Sequence, residues 1–173
     1  MHQQARSFVA RCVGIIGSSY QSVLEIGGYD VNGRVRDLFA DAYAYTAIDT
    51  RHGPGVDEVA DGATYTPPAP VDICVCCEVL EHTTDPAAIV ANMQRIVRPG
   101  GWLIITAAAP GRAPHGVNGG PVGDEPYTPI AESAMRKWLE ACSYLDVATT
   151  LDGEDVQALA QMAPTKTSRR KKA

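Results

Sequence analysis

The sequence predicts a single α/β domain: a doubly wound, mainly parallel sheet closing in a C-terminal antiparallel hairpin. Three observations predict it. Short runs of strand-forming residues alternate with segments whose apolar residues recur at helical spacing. One run, Val71–Cys77, is almost continuously apolar, as a strand covered on both faces must be. Residues that strands disfavour stand at the ends of these runs: Glu25 with Gly27, Asp49, Asp61, and Cys77 with Glu78.

The elements follow in order. Ala5, Phe8, Val9, Cys12, Val13 and Ile16 repeat at helical spacing, predicting an amphipathic first helix. Ser22–Gly27 reads as a strand, Gly33–Ala40 as a short helix, Tyr43–Asp49 as a second strand and Val56–Ala60 as a brief third. The prolines of TPPAP break the chain before the apolar run Val71–Cys77. Asp85-Pro86 supplies an N-cap acceptor and a proline at the first helical position. Ile89, Met93, Ile96 and Val97 form that helix's buried stripe. Pro99-Gly100-Gly101 turns the chain into the strand Trp102–Ala108, and a glycine- and proline-rich loop spans Pro110–Tyr127. Thr128-Pro129 starts a last helix with Ile130, Ala134 and Trp138 on one face. Leu145–Leu151 and Val156–Met162, divided by Asp152-Gly153, form the hairpin.

The 173 residues, 45% hydrophobic, suffice for one core without disulfides or metal. Five cysteines are an odd number, and Cys74, Cys76 and Cys77 crowd one strand. They read as reduced thiols of a cytoplasmic protein. No apolar run reaches a membrane span, and Arg6 and Arg11 interrupt the N-terminal one. Five of the fifteen basic residues lie in TKTSRRKKA, which leaves residues 1–163 at −10. An acidic body argues against a broad nucleic-acid-binding face. The domain is therefore set at 1–163, with 164–173 a disordered basic tail. That tail is either simply solvated or a tether to a polyanion such as nucleic acid.

In an open parallel sheet, ligands sit beyond the carboxyl ends of the strands, where the strand order reverses. Gly27 and Gly28 let a ligand approach the backbone, and the N–H groups beyond them favour an anion. Asp49 can accept both hydroxyls of a ribose, and it lies twenty-two residues after Gly27. A nucleoside-containing cofactor answers both features. The dinucleotide fingerprint G-x-G-x-x-G fails, with Tyr29 and Asn32, or Asp30, where later glycines belong.

VLEIGG, YTAIDT, VADGA, VDICVCCEVLEH and RIVRPGGWLIIT together resemble the class I S-adenosylmethionine-dependent methyltransferases, which have a Rossmann-like fold. GGYDVNGRVRDLF and HGPGVDEVADGA are similar to segments of small stand-alone bacterial and phage members. The resemblance implies that Glu25, Gly27 and Gly28 line the methionine end of the cofactor. It implies that Asp49 holds the ribose, with Ile48 and Thr50 beside the adenine, and that Asp61 and Gly62 meet the adenine edge. Cys77 and Glu78 would lie beside the sulfonium and the acceptor. Tyr29 and Val31 replace the second and third glycines of E-x-G-x-G-x-G, so the cofactor loop takes a different path.

The reaction implied is in-line methyl transfer to an oxygen or nitrogen nucleophile of a small molecule or protein side chain. His82 and His115 are the candidate catalytic bases. Each also has a plainer reading, as a turn residue and as a solvent-facing loop residue. Motifs of DNA amino- and cytosine-methylating enzymes are missing, and the 110–128 loop with the first helix is the expected acceptor lid. A non-catalytic sensor of S-adenosylmethionine is the alternative; it would keep Glu25, Gly27 and Asp49 without a nucleophile site. No metal ligands are assigned. A divalent ion is nonetheless conceivable at E-V-L-E-H, where one helical turn would align Glu78, Glu81 and His82, with His115 as a fourth ligand. The same E-x-x-E-H stands in metal-using small-RNA 2′-O-methylating and ubiquinone-pathway enzymes that resemble this region, and also in members without a metal.

Overall fold

The computed structural model describes residues 3–165. The basic residues from Lys166 onward, and with them most of the expected tail, lie outside the described residues. The chain forms α1 (Gln3–Ile16), β1 (Ser22–Ile26), β2 (Ala44–Asp49), β3 (Glu58–Val59), β4 (Val71–Cys77), α2 (Pro86–Ile96), β5 (Val97–Ala108), α3 (Glu132–Trp138), β6 (Tyr144–Thr149) and β7 (Asp155–Gln161). One seven-stranded sheet has the order β3-β2-β1-β4-β5-β7-β6. β1 to β5 run parallel, and β7 enters antiparallel between β5 and β6. The order reverses between β1 and β4, so their carboxyl ends flank the crevice.

The continuous apolar run of β4 is explained by its two covers. Ile73 and Val75 pack with Phe8, Val9 and Cys12 of α1; Cys74 and Cys76 pack with Ile89, Met93 and Ile96 of α2. Cys12, Cys74 and Cys76 are core residues, and all five cysteines are free of disulfides. Among the described residues no helix is long and apolar enough to cross a membrane.

Tertiary contacts moved several element boundaries. The helix expected over Gly33–Ala40 shrinks to a 3₁₀ turn at Arg36–Phe39, which buries Phe39. β3 keeps only two residues. Val97 leaves the α2 stripe to pair with Val71, and Pro99-Gly100-Gly101 becomes a bulge inside β5 before Trp102 pairs with Ile73. The last helix starts at Glu132 rather than Thr128, because Thr128 and Ile130 donate backbone hydrogen bonds to Glu81 and Ala108.

Asp72 ties the entry of the sheet together. Its Oδ2 accepts the N–H groups of Gln21 and Ser22 at 2.9 Å each, and its Oδ1 pairs with Arg98. Although burial works against the charge, Arg98 and these N–H groups hold its pKa down, at about 2. Asp72→Ala should cost about 2–3 kcal/mol, read by chemical denaturation. Because the folded value is depressed, this stabilisation is complete above the unfolded carboxylate pKa of about 4. It disappears as the pH falls towards about 2.

Candidate functional site

The tip of β1 is shaped by glycine. Gly27 has φ +85°, and a Cβ there would lie 2.1 Å from Val79 Cγ2. Both Gly27 and Gly28 donate their N–H to Ile48 O at 2.9 Å, which folds the chain across the end of β2. Two cavities meet at this tip. A slot of about 230 Å³ runs over Ile48, Asp49, Thr50, Asp61 and Gly62. A larger cavity of about 820 Å³ is lined by Glu25, Gly28, Cys77, Arg112 and His115. Gly27, Tyr29, Glu78 and His82 line both, so the passage between the cavities runs past the β1 and β4 tips.

In the slot, Asp49 Oδ1 accepts Arg51 N at 3.0 Å and Oδ2 accepts Tyr29 N at 3.3 Å. A carboxylate has further lone pairs for a diol. The Arg51 guanidinium stacks over the Tyr29 ring at 4.3 Å and donates to Asn118 Oδ1 at 3.1 Å, closing the slot's edge with the long loop. Asn92 of α2 donates to Gly62 O at 2.8 Å and Tyr65 O at 2.9 Å, which fixes the Asp61-Gly62 turn.

In the larger cavity, Glu25 is buried and accepts the Tyr45 hydroxyl at 2.9 Å. Burial pushes its pKa up to about 7 despite that bond. Burial also raises the Cys77 thiol far above its ordinary value, so Cys77 offers no thiolate.

The E-V-L-E-H segment does not form the expected helical face. Glu78 has φ 57°, the only non-glycine residue with positive φ among those described. A 3₁₀ turn begins only at Leu80. Glu78 is not part of a group with Glu81 and His82: its carboxylate accepts Thr106 Oγ1 at 2.9 Å and pairs with Arg112 at 2.7 Å. Glu81, His82 and His115 come together instead, with one ligand atom of each within 4.8 Å of the others. Glu81 is fully buried; Oε1 accepts Ala108 N at 3.1 Å, while Oε2 has no hydrogen-bond partner. Burial and the Glu78 charge raise its pKa. His82 Nδ1 is likewise buried and unpartnered, and burial, then His115, lowers the pKa of its ring. The His82 and His115 rings meet edge to face at 5.1 Å, and the Tyr127 hydroxyl lies 3.3 Å from His115 Nδ1.

The sequence missed Arg112, Tyr127 and Asp155. Arg112 and Tyr127 lie in the loop expected as an acceptor lid, where no single side chain stood out, yet the side chain of Arg112 is only 8% exposed. Asp155 looks like a turn residue yet is fully buried.

A family model described as a methyltransferase domain matches residues 1–163, nearly the whole chain. The chain belongs to this family. Solved structures agree on the fold. The N-methyltransferase NodS from Bradyrhizobium japonicum WM9, in complex with S-adenosyl-l-homocysteine, superposes with a TM-score of 0.64 at 17% identity; 92% of this chain and 86% of that one are covered. The 1,6-didemethyltoxoflavin-N1-methyltransferase of Burkholderia thailandensis gives 0.68 at 15% identity, over 93% and 79%. CalS10 with bound S-adenosylmethionine, an amino pentose methyltransferase from Micromonospora echinaspora, gives 0.66 at 15%, over 92% and 91%. Among curated proteins, the ubiquinone biosynthesis O-methyltransferase of Thiobacillus denitrificans is 46% identical over 39 residues, 22% of this chain and 17% of that protein. The one from Xylella fastidiosa is 49% identical over 39 residues, 16% of its length. The methyltransferase domain thus stands on the Rossmann-like fold that its sequence predicts.

Proposed function

We propose that this methyltransferase transfers the methyl group to an oxygen or nitrogen nucleophile of a small acceptor held in the larger cavity, with His82 as base and His115 beside it. The observation that carries this is the junction of the two cavities at Gly27, Glu78 and His82. The slot suits the adenosine, with Asp49 on the ribose and Asp61-Gly62 at the adenine edge. The methionine part then passes Gly27 towards Glu25, and the methyl points at the imidazoles. An acceptor lone pair attacks the methyl carbon in line, the carbon–sulfur bond breaks onto sulfur, and the acceptor proton passes to neutral imidazole. The methyl side is open rather than blocked, which disfavours a pure sensor. N1 of a didemethyltoxoflavin and an amino pentose are the acceptors named for two of the structural neighbours, and a cavity of about 820 Å³ has room for such small molecules. Five unpaired cysteines fit a reducing, cytoplasmic setting.

Asp49→Ala should weaken binding of S-adenosylmethionine and S-adenosylhomocysteine by about ten- to a hundredfold, measured by calorimetry. Unchanged affinity in the folded variant would remove Asp49 from the cofactor site.

A second reading adds a divalent ion. The residues fit one: Glu81 Oε2 and His82 Nδ1 are buried without partners, and His115 stands beside them. Glu78, engaged with Arg112, falls outside this set. Bound between Glu81, His82 and His115, magnesium or manganese would lower the pKa of an acceptor hydroxyl and so favour O-methylation. Activity lost in excess chelator, restored by manganese and insensitive to chelator in Glu81→Ala would support this reading. Full activity in chelator would leave the imidazoles as the base.

A further inference from the structure

Glu25 is an anomaly in its own layer. In the parallel pairing of β1 and β2, Val23 stands beside Tyr45 and Glu25 beside Ala47. Side chains alternate along a strand, so these four share one face of the sheet. That face is otherwise apolar: Val23, Ile73 and Val75 pack there with Phe39 and with α1. The acid that ends the row is 7% exposed and lines the larger cavity. Among the described residues its hydrogen-bond donor is the Tyr45 hydroxyl, 2.9 Å from Oε2, and Oε1 accepts no hydrogen bond.

Tyr45 is itself firmly held. The Arg36 guanidinium lies over its ring at 4.8 Å, and the Phe39 ring meets it at 5.8 Å, both from the 3₁₀ turn Arg36–Phe39. Arg36 is anchored in turn on Asp57. Asp57 Oδ2 accepts Ala47 N and its own N–H donates to Ala47 O, each at 2.8 Å. Ala47, opposite Glu25, is small enough to let the tyrosine lean along the strand towards the carboxylate. A phenylalanine would fill the same space; the hydroxyl adds the bond to Glu25.

We propose that Tyr45 is a positioning residue for the cofactor: its hydroxyl fixes one oxygen of Glu25, so that the other faces the α-ammonium of the cofactor's methionine part. This rests on the cofactor placement proposed above, which brings that part past Gly27 towards Glu25. An untethered glutamate must lose its rotamer freedom on binding, which costs affinity. With the Tyr45 bond in place, that ordering is complete before the ligand arrives. The bond also favours the ionised carboxylate, which burial disfavours. Tyr45 lies outside the adenosine slot, so its influence falls on the amine alone.

The probes are S-adenosylhomocysteine and its analogue with 4-thiobutyrate in place of homocysteine, which lacks only the α-amino group. Calorimetry at about pH 8, above the Glu25 pKa of about 7, gives the affinity ratio of the two. In the unmodified enzyme the amine should be worth at least about tenfold. Tyr45→Phe keeps the ring in place and should lower that ratio by about three- to tenfold, with the analogue bound as before. Glu25→Gln should lower it at least as far, and Tyr45→Phe should add nothing on top. Arg36→Leu, which loosens the ring but keeps the hydroxyl, should give a smaller loss. A ratio that stays unaltered in Tyr45→Phe, even with a lower melting temperature, would make the residue structural only and overturn the proposal. The same holds for an unaltered ratio in Arg36→Leu, should Tyr45→Phe not fold, and for an equal loss in the Glu25→Gln background. In each of these cases the cofactor placement stands. An amine worth nothing in the unmodified enzyme overturns the placement of the methionine part, and the proposal with it.

Discussion

Replacing His82 with alanine is expected to lower kcat by about 10²- to 10⁴-fold, the range for losing a positioned general base. Donor affinity should change little, because the slot proposed for the adenosine is built from β2 and the Asp61-Gly62 turn. The pH profile carries the sharper test. A base must be neutral to accept a proton, and burial, then His115, holds His82 below the ordinary histidine value of 6.5. In the unmodified enzyme, the acidic fall of kcat/KM should therefore lie at a lower pH than an ordinary histidine would give. That acidic limb should be missing from the residual activity of His82→Ala. A variant with unaltered kcat would assign the proton to another group or to solvent, and His115→Ala, measured in parallel, would decide between the two imidazoles.

Gly27→Ala should be the most damaging small substitution at the site. Two costs add. The φ of +85° strains any residue with a Cβ, and the new methyl would lie 2.1 Å from Val79 Cγ2. Together they predict about 2–4 kcal/mol of destabilisation and a displaced β1 tip, with loss of donor binding. The double variant Gly27→Ala/Val79→Ala removes the clash and keeps the strain, so it should regain part of the stability. Thermal unfolding and calorimetry on the three proteins separate the terms. An unchanged melting temperature in Gly27→Ala would mean that the tip can relax, and that the glycine serves ligand access alone.

The stretch Val23–Gly28 was legible because each of its features is local: an apolar run long enough for a buried strand, an acid at its end, and glycines that relieve the backbone. The same holds for Asp49, which ends β2 as expected and lines the slot. It holds also for the N-cap at Asp85, whose side chain accepts Ala88 N. The α3 start was misread because Thr128-Pro129 is a sound helix signal in isolation. Backbone bonds from Thr128 and Ile130 to Glu81 and Ala108 outweigh it, and they join residues far apart in sequence. The helical face expected for E-V-L-E-H failed for a related reason. Spacing of i, i+3 and i+4 aligns side chains only if every residue is helical, and Thr106 and Arg112 hold Glu78 in the left-handed region.

The sequence by itself determined the α/β class, the buried central strand, the antiparallel close of the sheet and the row of polar residues at the strand tips. Periodicity and turn chemistry act between near neighbours and can be read from them. Only the tertiary structure decided that Glu78 drops out of the expected set, leaving Glu81, His82 and His115 together, and that Glu78 and Asp155 share one arginine. Burial and charge depend on what folds over a residue. Arg112 is an ordinary loop arginine until the β6–β7 turn packs against Gly111 and shuts it away from water.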